Sequence, residues 1–487
     1  MSQSPVVGET PSGVVTRFEH WIYGRPEPPA TNAYLDSFGP ADGARVAEIA
    51  RGNAEDVELA AAAALSAQPD WGARPPLERG RLMLAIAHAI RANIDELVAL
   101  EIAETGKIPV FTKYEIDGAA AYFEYYGGIV RALHGETVDV GPTQHIFTRR
   151  EPYGVIGVIT PWNAPINQGT RGVAPALAVG NAALVKPSEF TSTTTLALAR
   201  LATEAGLPDG ILNVITGTGP EAGSAIVRHP AVGRVTFTGS VPTGRAVAQM
   251  AAERLIPVTL ELGGKSPHII FADADLSQAV AVAVRAFTFN AGQVCSAGSR
   301  LLVERSIHDE VVDAVVAAVS AIQVGEQLGP IITEPQFEKV KRYFNVAEQD
   351  GARRRTGGSV ATDSEELARG FYVQPTVYDR VDNDMQIARE EIFGPVLAVI
   401  PFDDEEEAIA IANNTAYGLV AGLWTTDVSR ALRVSARLEA GQVFVNDWTG
   451  NVEAPFGGYK QSGYGREKGF EALYEYTRLK SVMIRVG

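Results

Sequence analysis

The sequence predicts an α/β protein built on parallel sheets, and three observations carry that reading. From Tyr153 onward, short apolar segments rich in β-branched residues alternate with helical ones, the pattern of βαβ units. Hydrophobic residues make up 46% of the 487 and charged residues 21%, ordinary values for a chain with a sizeable core. No low-complexity linker and no short-period repeat interrupts the chain, so its domains are expected to form one compact body.

The elements follow in order. Residues 1–52 are rich in Gly and Pro, with short β-like pieces such as 14–18. A helix is expected over 55–67 and another over 76–92, where Leu82, Ala85, Ile86, Ala89 and Ile90 recur at helical spacing. Asn93 resembles a cap for a third helix, 94–104, stopped by Gly106. Past Tyr153 come a strand at 154–160, a helix at 172–178, a strand at 182–186 and a helix at 193–205. A strand at 211–215, a helix at 224–228, a strand at 235–238 and a helix at 243–253 complete the series. A ligand is expected at the carboxyl edge of this sheet. A second α/β stretch runs from about 258 to 402, with strands at 268–271 and 397–400 and helices at 276–289 and 308–322.

Composition excludes several functions. A net charge of −16 with no basic patch argues against nucleic acid as a partner. One cysteine cannot build an intramolecular disulfide, so no secreted disulfide framework exists. Residues 1–15 lack a basic region followed by an apolar core, and the longest apolar candidate, 173–185, is too short to span a membrane. The expectation is a soluble, cytoplasmic protein with no membrane partner. Seven scattered histidines, without H-E-x-x-H or a cysteine pair, predict no catalytic metal. Gly263-Gly264-Lys265-Ser266 is not a phosphate loop, because Thr259 stands where a glycine is required and Pro267 opposes the helix. No G-x-S-x-G elbow is present, and the acidic run 403–407 reads as a solvated helix cap.

Four segments carry chemistry. The single Cys295 sits in a glycine-flanked turn after an apolar run, and Glu261 lies 34 positions upstream beside Gly263 and Gly264. A thiol and a carboxylate in such turns suggest a nucleophile and a proton acceptor, although a lone cysteine is as readily a buried structural thiol. Phe237-Thr238-Gly239-Ser240 with Gly244 forms a strand-turn-helix suited to a dinucleotide phosphate, or simply a tight βα turn. Lys186-Pro187-Ser188-Glu189 ends a strand and offers ribose hydrogen bonds, or is a solvated turn. Thr160-Pro161-Trp162-Asn163 ends another, and its amide could donate to an oxyanion or merely shape the turn.

Seven motifs in this order resemble the aldehyde dehydrogenase superfamily over essentially the whole chain. Pro161-Trp162-Asn163, Lys186-Pro187-Ser188-Glu189 and Phe237-Thr238-Gly239-Ser240 come first. Glu261-Leu262-Gly263-Gly264-Lys265, Gly292-Gln293-Val294-Cys295, Glu391-Ile392-Phe393-Gly394-Pro395 and Pro455-Phe456-Gly457-Gly458-Tyr459-Lys460, with Ser462-Gly463, follow. The resemblance implies NAD-dependent oxidation of an aldehyde to its acid, with Cys295 as nucleophile, Asn163 holding the oxyanion and Glu261 activating the hydrolytic water. Cofactor contacts would come from Ile159, Thr160, Pro161 and Trp162, from Lys186, Ser188 and Glu189 at the adenine ribose, and from Gly219. Ser240 and the Gly239 turn would face the pyrophosphate, Glu391 would contact the nicotinamide ribose with Phe393 packed nearby, and Phe237, Thr243, Leu262 and Gly263 would also contact the cofactor. Glu189 favours NAD, with NADP use left open.

The resemblance also places Gln168, Arg171, Val294, Ser296, Trp448 and Phe456 around the substrate, together with Ala164, Asn167 and Thr449. Donors at Gln168 and Arg171 point to an aromatic or polar aldehyde, against a plain structural ion pair for Arg171. The implied architecture is a Rossmann-like cofactor domain (1–130 and 150–257), a catalytic domain (258–465) and a β oligomerisation flap with a C-terminal strand (131–149 and 466–487). A homodimer or homotetramer is implied. The rivals are an acylating enzyme that uses coenzyme A, which the carboxylate at Glu261 argues against, and a non-catalytic protein that kept the fold.

Overall fold

The computed structural model describes residues 15–486, so the leader reading of the N-terminus lies almost wholly outside the described residues. Four helices open the described chain after a short β region: Ala54–Ala73, Pro76–Ala92, Ile94–Thr105 and Pro109–Ile129. The first is started by Asn53, whose side chain accepts from the Glu55 and Asp56 backbone N–H groups while Asp56 reaches back, a reciprocal capping box. The fourth helix, of 21 residues, is absent from the sequence expectation. Its glycines and aromatics blur the apolar period, and the reason for them is packing. Gly127 faces Gly80 of the second helix so closely that a Cβ on Gly80 would lie 2.5 Å from the Gly127 carbonyl oxygen. The two backbones can cross there only because neither carries a side chain.

The first large sheet has eight strands in the order 463–464, 258–261, 232–238, 155–159, 182–186, 212–214, 20–22, 25–27. From Val258–Glu261 to Leu212–Val214 all neighbours run parallel. The chain leaves Val155–Ile159 toward Ala182–Lys186 and Leu212–Val214, then crosses back to place Val232–Thr238 on the other side. That reversal is the switch point at which open α/β sheets bind ligands. The helix after the first of these strands runs Pro165–Ala178, seven residues earlier than expected, because Pro165 supplies a favourable first-turn residue.

Two expected boundaries are corrected by the pairing. Val258–Glu261 lies beside Val232–Thr238 in four register pairs, so the division at 257/258 would cut this sheet. Ala472, Leu473 and Tyr476 are buried in the same core, so residues 466–476 are not part of a flap. The flap itself is a three-stranded sheet in which Gln144–Pro152 pairs antiparallel with Thr477–Arg485 along nine residues, and Thr137–Val138 covers the other edge.

The second large sheet has seven strands, in the order 353–356, 376–379, 396–402, 300–304, 267–270, 420–424, 442–445. Helices Leu276–Thr288 and His308–Ser320 pack on one of its cores, and Glu334–Gln349 on the other. The acidic run behaves as read: Asp404 caps Glu405–Asn413 by accepting from the Glu407 N–H. No described helix is long and apolar enough to cross a membrane.

Candidate active site

Cys295 is reached through a strained turn. Helix Leu276–Thr288, capped by Asp275, gives way to Asn290 (φ 49°), Ala291 (φ 51°) and Gly292 (φ 71°), three successive left-handed residues. Two of them are not glycine, and such strain persists only where surrounding contacts enforce it. Gln293 supplies them from a fully buried position. Its Nε2 donates to the Asn290 carbonyl (3.0 Å) and the Pro330 carbonyl (3.2 Å), and its Oε1 accepts from the Ile332 N–H (2.8 Å). Sequence reasoning quoted Gln293 only as part of a motif, since its role depends on the distant Pro330 loop.

Asn163 is tied to that turn. Its Nδ2 donates to the Gln293 carbonyl at 2.8 Å, and Asn290 Nδ2 donates to the Asn163 carbonyl at 2.9 Å. A carboxamide nitrogen has two hydrogens, so the second remains to donate. Glu261, at the end of its strand, is buried, and neither carboxyl oxygen has a hydrogen-bond partner. It faces Gly457, where an added Cβ would meet Oε1 at 2.9 Å.

The residues expected to face the nucleotide lie at and around strand ends of the first sheet. Thr160 is buried with an unpartnered hydroxyl, next to half-buried Pro161 and Trp162 and after buried Ile159. Lys186 Nζ donates to Glu189 Oε2 at 2.9 Å, with Ser188 buried between them. Ser240 caps the 13-residue helix Val241–Glu253 by accepting from the Thr243 N–H at 3.4 Å, while Gly239 lies against the Phe237 ring. Gly219 opens a one-turn segment capped by Thr218. Glu391 accepts from the Gly264 N–H at 2.9 Å and lies against Gly263, beside buried Leu262. Phe393, at φ 60°, meets Trp162 edge-on with centroids 5.3 Å apart. An orphaned hydroxyl, the Ser240-capped helix N-terminus and a Lys–Glu pair at the strand ends are groups that fit a dinucleotide.

On the other side of Cys295, Phe456 with Leu419 and Val420 packs against the thiol, Phe444 and Trp448. Trp448 donates from Nε1 to the Ser296 carbonyl (3.1 Å) and stacks on His268 at 4.6 Å. Val294 and Ser296 flank the thiol, half-buried, and Ala164 is buried. Gln168 is buried with an unpartnered Oε1. Two residues expected around the substrate are bonded elsewhere in the chain, although Arg171 Nε remains unpartnered. Arg171 forms a buried ion pair with Glu467 and lies 4.8 Å from the Phe456 ring centroid. Asn167 donates to the Glu115 carbonyl at 3.1 Å. Thr449 is exposed and turned to Asp447 at 3.0 Å. Glu467 and its neighbour Lys468 were missed, although they lie only a few residues beyond Ser462-Gly463.

The family model for the aldehyde dehydrogenase family matches residues 28–482. The chain belongs to this family. Solved relatives agree along their whole length. A putative aldehyde dehydrogenase from Burkholderia cenocepacia is 41% identical, with 96% of this chain and 97% of that one covered and a TM-score of 0.94. An indole-3-acetaldehyde dehydrogenase from P. syringae, solved with NAD+ and IAA, is 39% identical over 97% of each chain, with a TM-score of 0.95. A betaine aldehyde dehydrogenase from Staphylococcus aureus, solved with NAD+, is 37% identical over 96% of each, with a TM-score of 0.93. This aldehyde dehydrogenase therefore shares a reaction class, the oxidation of an aldehyde with NAD, as well as a fold.

Electrostatics set the resting state of the dehydrogenase. Burial pushes the Cys295 thiol up to about 11; Arg171 and Lys468 oppose the rise, and the Glu261 and Glu391 carboxyls add to it. Burial likewise holds Glu261 well above the carboxylate range, helped by Glu467 and opposed by Arg171. The Cys295 thiol is therefore un-ionised at rest near pH 7. With a thiol near 11, about one molecule in a thousand carries thiolate at pH 8. Alkylation of Cys295 by iodoacetamide, with no nucleotide added, is thus expected to accelerate about tenfold per pH unit from 7 to 10. A rate that levels off by pH 8 would contradict the resting thiol.

Proposed function

We propose that this chain converts an aldehyde to its carboxylic acid through a covalent intermediate on Cys295. The Cys295 sulfur, once ionised, attacks the carbonyl carbon, and the resulting oxyanion lies between the free Asn163 N–H and the Cys295 backbone N–H. When bound, the nicotinamide supplies the acceptor for the hydride that leaves this carbon, so that a Cys295 thioester remains. Glu261 takes a proton from water, the hydroxide adds to the thioester, and the acid departs as the thiolate is restored. Thr160, the Lys186–Glu189 pair, Ser240 and Glu391 would hold the nucleotide, and Glu189 favours a free ribose hydroxyl over a phosphate. The observation that carries this reading is the hydrogen-bonded link from Asn163 to the Gln293 carbonyl, which fixes an amide donor on the turn that presents the thiol. The unpartnered Glu261 carboxyl nearby suits a water-activating base and argues for water, not coenzyme A, as acyl acceptor.

The substrate in this reading is an aldehyde with a ring or polar group, seated between Phe456 and Trp448 with Gln168 available for a hydrogen bond. The two large sheets would serve as the cofactor and catalytic domains, and the flap sheet as an oligomer contact. Exposed Leu479, Met483 and Ile484 on its unpaired outer strand support a homodimer or homotetramer. The test is NADH formation by the purified protein with aliphatic, aromatic and hydroxy-aromatic aldehydes, with and without coenzyme A. Free acid and NADH in equal amounts without coenzyme A are expected. A product that requires coenzyme A would refute the hydrolytic mechanism.

A further inference from the structure

Lys468 has no part in the chemistry described so far, yet its ammonium lies in the same chamber as the thiol. Nζ is 5.1 Å from the Phe456 ring centroid and 6.0 Å from that of Tyr122. A Cβ built on Gly450 would be 4.0 Å from both Lys468 Nζ and the tip of Phe444. Phe456 and Phe444 are the rings that pack with Cys295. The backbone is left-handed at Lys468 (φ 60°) and again at Gly469 (φ 57°), an arrangement that a lysine adopts only under constraint.

The charge here is uncompensated. Among the fully buried lysines, Lys107 meets Glu101 and Glu115 and Lys186 meets Glu189, whereas Lys265 likewise has no ion pair. Among the described residues no carboxylate forms an ion pair with Lys468. Of the acidic groups nearby, Glu467 is paired with Arg171, and burial disfavours the anionic forms of the Glu261 carboxyl and the Cys295 thiol. Arg466 adds a further positive charge, donating only to the Gly458 and Gly465 carbonyls. Burial brings the Lys468 ammonium down to about 8, with Arg171 acting in the same direction, so it stays mostly protonated at pH 7. A chain of net charge −16 thus keeps an unpaired lysine in the cluster that holds its thiol. Lys468 is half-buried, and a ligand that supplies its missing counter-ion gains an ion pair shielded in part from water.

We infer that Lys468 receives a carboxylate at the far end of the substrate, so that the preferred substrates are aldehydes that also carry an acid group, the semialdehydes of dicarboxylic acids. The inference rests on the reading of Cys295 as nucleophile. Phe456 and Phe444 would flank the chain between the two ends, and the ammonium would fix which end approaches the thiol.

The experiment compares kcat/KM of the full-length enzyme with NAD for straight-chain ω-oxo carboxylates of four to six carbons, their methyl esters and a trimethylammonio aldehyde. The wild type is expected to prefer the oxo acid over the ester by roughly tenfold or more, and to reject the cation. Lys468→Met should lose roughly 10- to 100-fold on the oxo acid, chiefly through KM, and change little on the ester. Lys468→Arg should keep the preference. Equal losses on acid and ester, or a wild type that favours the ester, would overturn the inference while leaving the Cys295 reading intact. Turnover of the ester by the methionine variant reports that the variant is folded. Absence of NADH with every aldehyde would overturn both readings together.

Discussion

Glu261→Gln is expected to stop the second half of the reaction and spare the first. The variant should release one NADH per active site in a burst and then fall about 10²- to 10⁴-fold below wild type in steady turnover, the usual contribution of a positioned general base. Cys295→Ala should show neither burst nor turnover. The amide matches the carboxyl in size, and neither Glu261 oxygen accepts a hydrogen bond, so the substitution removes no structural contact. Its environment also fixes the pH dependence. Burial raises the Glu261 carboxyl well above the carboxylate range, and only the deprotonated form can act as base. Deacylation in the wild type should therefore decline as pH falls through that raised value and be restored above it. The Gln variant should lose this limb of the profile. Rapid-mix measurement of NADH over a pH series checks both points. A variant without a burst would assign Glu261 to thiol activation instead.

What the sequence made legible divides along physical lines. The strands 182–186 and 155–159 and the helices 76–92 and 224–228 stand close to where periodicity and punctuation put them, because local chemistry decides them. Helix Pro109–Ile129 was not legible, since the reason for Gly127 lies on another helix, at Gly80. The domain boundary at 258 was not legible either: nothing in Val258-Thr259-Leu260 tells which sheet will take the strand. In the site, residue types at motif positions pointed to Cys295, Glu261 and Asn163, which the fold gathers around one turn. The partners that hold these residues in place escaped. Gln293 reaches Pro330 and Ile332, and Glu467 reaches back across almost 300 residues to Arg171. Periodicity carries no record of such distances.

Breaking the Arg171–Glu467 pair is expected to be the most damaging change away from the thiol. The two side chains are about 4% and 3% exposed, and Glu467 is bound on several sides. Thr236 Oγ1 donates to its Oε1 at 3.0 Å, and its backbone exchanges hydrogen bonds with Phe456 at 2.7 and 2.8 Å. Glu467 thus joins the strand Val232–Thr238, the helix Pro165–Ala178 and the Phe456 segment that packs with Cys295. Removing either partner leaves a sequestered charge unmatched, which costs about 3–5 kcal/mol in comparable pairs. Glu467→Gln and Arg171→Met should each lower the urea midpoint of unfolding markedly. The double change Arg171→Met with Glu467→Leu should recover a large part of the loss, because hydrophobic replacement of both ions removes the unmatched charge. The catalytic consequence has its own signature. Burial lowers the affinity of the Arg171 guanidinium for its proton, but the Glu467 carboxylate outweighs this, so it remains fully charged near the thiol. Arg171→Ala should therefore lower kcat/KM to a similar extent on polar and apolar aldehydes, as expected of a positioning residue. A selective loss on polar aldehydes alone would return Arg171 to the role of a substrate contact.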